Sequence, residues 1–424
     1  MNKMAQHKKK HKSNKKLIKV ILLVSAMILL LWIGERKLLE NEYQSENATE
    51  VQEISTATIG SMGDLLIHSP FLTHYEFGAD NWNFDGIFTQ LKPYINKLDY
   101  AVIDLEGTLS DGDYSGYPAF RAPEEVVDSV KAAGFDMVLT ANNHLGDGGE
   151  SGFIYTLNKL KEKKIDFIGS TLANEDKKYI IKDINGIKIG MANWTYGQLY
   201  EDGMANINGI DLSAKQSKLM EIYDYDQLEK FYQEQQYLID KMKSEGAEAI
   251  IYYMHWGDEY KIAENELQSQ IAQSLCNLGV DAIIGGHPHV IQPIEYLKAD
   301  NKEHRTICIY SLGNALSNQR THLMDLKTGH TEDGVLYMLT FSKFSNGTVK
   351  LSKVEFIPTW VELYTVDDRR NYVIIPLDQN GEWKNHLSGS DSVDAALASY
   401  NRTMEILQPG LDSYKVEAQI VNDQ

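Results

Sequence analysis

Asp281-Ala282-Ile283-Ile284-Gly285-Gly286-His287-Pro288-His289 is the stretch whose reading decides how the rest of the chain is placed. Its first half is a short apolar run of the kind that fills a buried strand. Its second half turns sharply, because two glycines free the backbone to bend and to approach a ligand closely. Two imidazoles, two residues apart beyond a strand end, project from one edge of a sheet, and imidazole is the commonest metal ligand near neutral pH. Alone, the pair reads equally well as two solvated loop histidines, so the weight falls on what the other strand ends carry.

Those ends carry companions. Asp64 closes the run Thr58-Ile59-Gly60-Ser61-Met62-Gly63, and Glu106 closes Tyr100-Ala101-Val102-Ile103-Asp104-Leu105. Asn142-Asn143-His144 follow Met137-Val138-Leu139-Thr140, and His255 follows Ala249-Ile250-Ile251-Tyr252-Tyr253-Met254. Each has an ordinary reading by itself: Asp64 as a turn or cap, Glu106 as a solvated loop acid, Asn142-Asn143 as left-handed turn residues, His255 as a packing histidine. Together, two carboxylates, an amide and three histidines suit one or two divalent ions of the Mn, Fe or Zn class. A shared carboxylate can bridge two ions, which would clamp attacking and leaving oxygens, and a further histidine can protonate a leaving group.

Between the strands lie helical patterns over 84–98, 124–133, 151–163, 227–243 and 265–278, and Asn185-Gly186 marks a hairpin. Residues 196–222 read as a polar, glycine-punctuated insertion. Strands are expected at 305–311, 335–343 and 349–357, and irregular segments with one helix near 392–407 after that. Early strand–helix alternation followed by runs of strands predicts a sheet sandwich with helices outside. In such open α/β sheets, ligands sit beyond the strand ends.

The 424 residues carry a formal net charge of −19, although residues 1–19 hold eight lysines and no acid. So acidic a body repels phosphates over most of its surface, which excludes a nucleic-acid partner. An uncharged run from Val20 to Ile33 follows the lysines, with Glu35 beyond. This predicts an uncleaved signal anchor in the cell membrane, N-terminus cytoplasmic and body extracellular, in preference to a cleaved signal peptide. Cys276 and Cys308 are the two cysteines and are expected to be buried thiols.

The motif series resembles the capsule-synthesis proteins of the CapA type, within the calcineurin-like metallophosphoesterases. It runs Gly63-Asp64, Asp104-Leu105-Glu106, Ala141-Asn142-Asn143-His144 with Asp147 and Gly149, His255-Trp256-Gly257 with Glu259-Tyr260, Gly286-His287-Pro288-His289-Val290 with Gln292, and Tyr310-Ser311-Leu312-Gly313-Asn314. It covers roughly residues 57–315. The resemblance implies an α/β fold, a four-layer αββα sandwich, here preceded by one N-terminal transmembrane helix. It also implies a role in making, exporting or anchoring poly-γ-glutamate capsule, in a membrane complex with other capsule proteins. Carried over, Asp64 and His289 would bind a first metal, Glu106 would bridge, and Asn143, His255 and His287 would bind a second. His144 would be the general acid, oriented by Asp147. Trp194, Tyr196, Arg121 and Asn314 are candidate substrate contacts; packing, a surface arginine and a turn cap are their plain alternatives.

Two departures bear on the chemistry. The wider superfamily carries Asp-x-His at the first strand, whereas here Asp64-Leu65-Leu66 leaves the first position one ligand short, with His68 two positions further on. Glu106 stands where an aspartate is usual. The expected division is a basic cytoplasmic head (1–19), an anchor (20–34), a linker (35–54), the metallophosphoesterase-like domain (55–358) and a C-terminal extension (359–424). The expected function is a metal-dependent hydrolase or transferase on the capsule polymer. The alternatives are a non-catalytic scaffold holding the nascent chain, or a general phosphoesterase unrelated to capsule.

Overall fold

The computed structural model describes residues 19–37, 51–78, 81–174, 177–301, 303–388 and 390–422. The chain divides into two compact units, Met1–Gln52 and Glu53–Gln424. In the second, β1 (Glu53–Leu65), β2 (Tyr100–Leu105), β3 (Met137–Leu139) and β4 (Asp166–Ile168) run parallel as neighbours. The chain then builds a separate sheet from β5 (Ile180–Ile184), β6 (Ile187–Tyr196), β7 (Ile222–Tyr223), β8 (Ala249–His255), β9 (Ala282–Gly286), β10 (Ile291–Lys298) and β11 (Arg305–Leu312). It returns to the first with β12 (Asn314–Leu316), β13 (Asp333–Phe344), β14 (Val349–Val366) and β15 (Arg369–Pro376).

The first sheet has eight strands in the order β15-β14-β13-β1-β2-β3-β4, with β12 paired in parallel to the end of β1. The second has seven, β7-β6-β8-β9-β11-β10, with β5 antiparallel to β6. Strand alternation sorts side chains onto the two faces of each sheet. Ile59, Val102, Met191, Ile251, Tyr253, Ile309 and Leu339 meet between the sheets. On the outer face of the first sheet, Ala101 and Ile103 pack with α1 (Glu125–Ala133) and α2 (Gly149–Glu162) through Val126, Val130, Phe153 and Leu157. Outside the second, Ile250, Tyr252 and Ile283 pack with α3 (Leu228–Ser244) and α4 (Glu266–Leu278) through Phe231, Ile239, Ile271 and Leu275. The result is a mixed α/β body of four layers, helix–sheet–sheet–helix, in which each large buried side chain is worth about 1.5–3 kcal/mol. Parallel strands covered on both faces read as unbroken apolar runs, as β2 and β8 do. Helix ends follow local chemistry: Asn265 and Gln268 form a capping box on α4, and Gly279 ends it at φ 88°.

Several expected elements differ. The helix over 84–98 is two short pieces, Asp85–Phe88 and Lys92–Ile95, because Pro93 has no N–H to continue a helix and starts a new one instead. Residues 196–222 are no polar insertion: short strands and a helix there bury Ala205, Ile207, Leu212 and Leu219 in the outer core of the first sheet. Beyond 358, β14 continues to Val366, β15 follows, and α5 (Ser390–Asn422) is far longer than the expected helix. Leu407, Leu411 and Tyr414 of α5 join the inter-sheet core. Gly410 permits that approach, since a Cβ there would lie 2.0 Å from the Ile294 carbonyl oxygen.

Residues 19–37 are helical and Val20 to Ile33 are exposed. Among the described residues, no helix is long and apolar enough to cross a membrane. The expected transmembrane helix is therefore not upheld: the uncharged run between Lys19 and Glu35 is 15 residues and extends about 22 Å at 1.5 Å per residue, short of a hydrocarbon core of about 30 Å. The head before residue 19 and most of the expected linker lie outside the described residues. Cys276 and Cys308 are buried free thiols.

Candidate metal centre

The C-terminal ends of the parallel strands of both sheets open onto one edge. In the first sheet, Asp64 is in register with Asp104 on β2 and with Asn314 on β12, which puts three polar side chains in a row across three strands. In the second, His255 is in register with Gly286 on β9. The chain crosses between sheets at Gly313 (φ 67°), directly beside Asp64, whose N–H donates to the Gly313 carbonyl at 3.2 Å. Beyond β9 the backbone is contorted: His287 and His289 hold φ values of 97° and 56°. A left-handed non-glycine residue is strained, and strain of this kind gathers at functional sites. Gly286 keeps the turn close, since a Cβ there would lie 2.8 Å from Asp64 Oδ1.

Three overlapping groups of buried side chains could hold a metal ion: Glu106 with His255 and His287, Asp64 with Glu106 and His289, and Asp64 with Asp104 and His255. Glu106 lies between the first two. Its Oε1 is 3.7 Å from His255 Nε2 and its Oε2 is 3.9 Å from His289 Nδ1. His289 Nδ1 also approaches Asp64 Oδ2 at 3.0 Å, and His255 Nε2 stands 2.8 Å from Asn143 Oδ1. On its other side His255 Nδ1 is 3.2 Å from Asp104 Oδ2, while Asn142 Nδ2 donates to Asp104 Oδ1 at 3.0 Å. His255 Nε2, on the opposite side of the ring, faces the centre. His287 Nε2 shares a hydrogen bond of 3.2 Å with Tyr196 Oη, and His287 Nδ1 is left without a partner.

Burial without partners tests whether a cation fits. Both oxygens of Glu106 and Nδ1 of both His255 and His287 are buried with no hydrogen-bond partner. A dry, unpaired carboxylate costs several kcal/mol unless a proton or a cation satisfies it. Burial, and then the charges of Asp64 and Asp104, push Glu106 well above the usual carboxylate range. Burial likewise raises Asp104, opposed by His255. Burial and the neighbouring imidazoles push His287 well down. At His289 burial acts downward, but the hydrogen bond and charge of Asp64 outweigh it and the net shift is upward. Among the described residues, Asp64, Asp104, Glu106 and Asp147 make ion pairs with histidines alone, so the centre has no lysine or arginine to balance it. Donors of mixed carboxylate, imidazole and amide type, in a dry acidic cluster, suit a divalent cation of the Mn, Fe or Zn class.

His144 lies at the rim. Its Nδ1 bonds Asp147 Oδ2 at 2.8 Å, the Phe120 N–H donates to the same oxygen at 2.6 Å, and the Phe120 ring meets the imidazole edge-on at 4.8 Å. His144 Nε2 is 4.0 Å from Glu106 Oε1.

The structure thus brings together Asp64, Glu106, Asn143, His144, Asp147, His255, His287, His289, Tyr196 and Asn314. It does not bring two of the expected contacts. Trp194 is buried on the helix-covered face of β6, edge-on to Phe231 at 5.4 Å, one turn of the pleat short of the strand end. Arg121 pairs with Asp113 and Ser115 in a separate cleft lined by Ser110, Ser151 and Tyr155. His68 stays outside the three groups: its Nδ1 accepts from the Asn318 N–H at 3.3 Å, and burial, then His289, lower it to about 4. Asp104 and Asn142 also belong to the centre, although neither closes its apolar run. The signal for Asp104 was the period-2 spacing that puts it on the same face as Glu106.

The family model described as "Bacterial capsule synthesis protein PGA_cap" matches residues 58–319. "Capsule biosynthesis protein CapA" of Bacillus anthracis is 25% identical over 328 residues, covering 74% of this chain and 71% of that protein. "PGA biosynthesis protein CapA" of Bacillus subtilis (strain 168) is 23% identical over 391 residues, covering 90% and 92%. Among solved structures, the crystal structure of TT1561 of Thermus thermophilus matches with a TM-score of 0.33 at 8% identity, over 66% of this chain and 93% of that one.

Proposed function

The chain belongs to the bacterial capsule synthesis protein PGA_cap family, and from that premise we propose a metal-dependent hydrolase or transferase acting on poly-γ-glutamate outside the cytoplasm. The observation that carries this reading is Glu106, whose two unpartnered, buried oxygens face His255 on one side and His289 on the other. Bound on either side of it, divalent cations would polarise an amide or phosphoester oxygen and acidify a water. The layered sheets and the strand-end location of the centre support a calcineurin-like metallophosphoesterase scaffold.

The protein's own residues supply orientation and a proton. Asp147 and the Phe120 ring fix His144, so that Nε2 faces the centre and can deliver a proton to the leaving nitrogen or oxygen. Asp104 Oδ2, 3.2 Å from His255 Nδ1, and Tyr196 Oη, 3.2 Å from His287 Nε2, orient the two rings at the centre. The carboxylates leave no positive side chain for an anionic polymer, so the cations would also offset substrate charge. The exposed apolar stretch from Val20 to Ile33 supports association with a membrane, where the protein would work beside other capsule proteins.

A scaffold that binds the nascent polymer without chemistry is the second reading. It is favoured by Leu66, fully buried, standing where the superfamily pattern has a ligand histidine. The full chain in detergent, loaded with Mn²⁺, incubated with poly-γ-glutamate and followed by chain length, separates the two. Wild type is expected to change the length distribution, and His144→Ala to do so about 10²–10⁴-fold more slowly with its metal retained. A wild type that binds metal and polymer but leaves length unchanged with every metal and amine acceptor overturns catalysis and leaves the scaffold. Turnover confined to a simple phosphoester would favour a general phosphoesterase.

A further inference from the structure

We propose that Asn314 Oδ1 is a direct metal ligand, the missing fourth donor of the first position beside Asp64, Glu106 and His289. The inference rests on the two-position reading above and deepens it. Asn314 Oδ1 lies 3.2 Å from His289 Nδ1, the same nitrogen that Asp64 Oδ2 approaches at 3.0 Å and Glu106 Oε2 at 3.9 Å. A single N–H serves one acceptor well, and three oxygens crowd this nitrogen; a cation among the four atoms satisfies them all.

The amide is fixed from behind. Asn314 Nδ2, with two hydrogens to give, faces three acceptors: the His289 carbonyl at 3.2 Å, Gln319 Oε1 at 2.9 Å and the Thr331 carbonyl at 3.0 Å. The two backbone carbonyls among them accept only, which assigns the nitrogen and leaves Oδ1 turned to the centre. The backbone is equally constrained, because Asn314 opens β12 in register with Asp64.

The second position repeats the pattern. There Asn143 Oδ1 stands 2.8 Å from His255 Nε2, next to Glu106 and His287. Each position then has an amide oxygen, shares Glu106, and differs in the rest: three oxygens and one nitrogen at the first, two of each at the second. The first position is the richer in oxygen, and both donor sets, mixed oxygen and imidazole, accept Mn²⁺.

The competing role for Asn314 is a fastener that only holds the His289 loop. The test strips the full chain in detergent with chelator, reloads it with Mn²⁺, and measures ions bound per chain together with the metal-dependent rise in melting temperature. Wild type is expected to hold two ions. Asn314→Ala holds one, with affinity for the lost ion down about 100-fold or more, at or beyond the upper end for second-shell losses. Asn314→Asp keeps a ligand oxygen but gives up the bonds that Nδ2 donates, and it recovers the second ion. Gln319→Ala loosens the amide without removing Oδ1 and keeps both ions. If Asn314→Asp binds no better than Asn314→Ala, or Asn314→Ala keeps two ions at wild-type affinity, Asn314 is a fastener and the proposal is overturned while the two-position reading stands. A wild type that holds fewer than two ions overturns that reading itself. Should Asn314→Ala fail to fold, Asn314→Asp decides alone.

Discussion

Asn143 Oδ1 and His255 Nε2 stand 2.8 Å apart, one on the loop after β3 in the first sheet, the other at the end of β8 in the second. A proton on Nε2 satisfies the pair as it stands; a cation bound at the centre takes that proton's place, and Asn143 Oδ1 then joins His255 Nε2 as a ligand. Asn143→Ala is therefore expected to weaken metal binding by about 10–100-fold or more, read by calorimetric titration of the stripped protein. Binding of wild-type strength in that variant would remove Asn143 from the centre.

Away from the centre, buried Glu221 pairs with Lys178 at 2.8 Å, and Lys178 also reaches Glu234 at 2.9 Å. Burial, opposed by Lys178, raises Glu221 from an ordinary 4.5 to about 7. A carboxyl whose folded pKa lies above its unfolded one contributes stability that is complete below about 4.5 and is lost as pH rises through about 7. Glu221→Gln keeps the neutral shape at every pH. Relative to wild type the variant should gain about 2–3 kcal/mol between pH 5 and pH 8, measured by denaturant melts at both. A gap that does not change with pH would show that Glu221 stays ionised throughout.

The crossing between sheets depends on Gly63. A Cβ there would lie 1.9 Å from the Gly313 carbonyl oxygen, a backbone atom that cannot swing away. Gly63→Ala is expected to destabilise the fold by about 3 kcal/mol and to lower metal affinity, because Asp64 is the next residue. Thermal melts with and without Mn²⁺ report both effects, and an unchanged melt would mean the junction is softer than its geometry.

Arg121 offers a contrast. It pairs with exposed Asp113, and a partly exposed pair of this kind is worth at most about 1 kcal/mol. Arg121→Ala should leave metal content and polymer turnover as in wild type. A large rise in KM for the polymer would instead bring the Arg121 cleft into the substrate path.

The strand ends were legible because parallel strands covered on both faces leave unbroken apolar runs, so a polar residue closing each run stands out. That is why Asp64, Glu106, Asn143, His255, His287 and His289 could be named together. Sequence spacing was silent on reach. Arg121 is near Glu106 in the chain but turns into another cleft, and Trp194 lies two residues short of the edge that Tyr196 reaches. Asn314 follows an ordinary Gly-turn, and only the three acceptors behind its amide distinguish it from a cap. Strands of two or three residues carry no period, which hid the buried role of 196–222. Apolar spacing over 84–98 was helical, but Pro93 divides it.

The most direct measurement of the central claim is anomalous diffraction from crystals of the full chain soaked in Mn²⁺. Two peaks should flank Glu106, one among Asn143, His255 and His287, the other among Asp64, His289 and Asn314. No peak at Glu106 under saturating Mn²⁺, or peaks confined to the protein surface, would contradict the account.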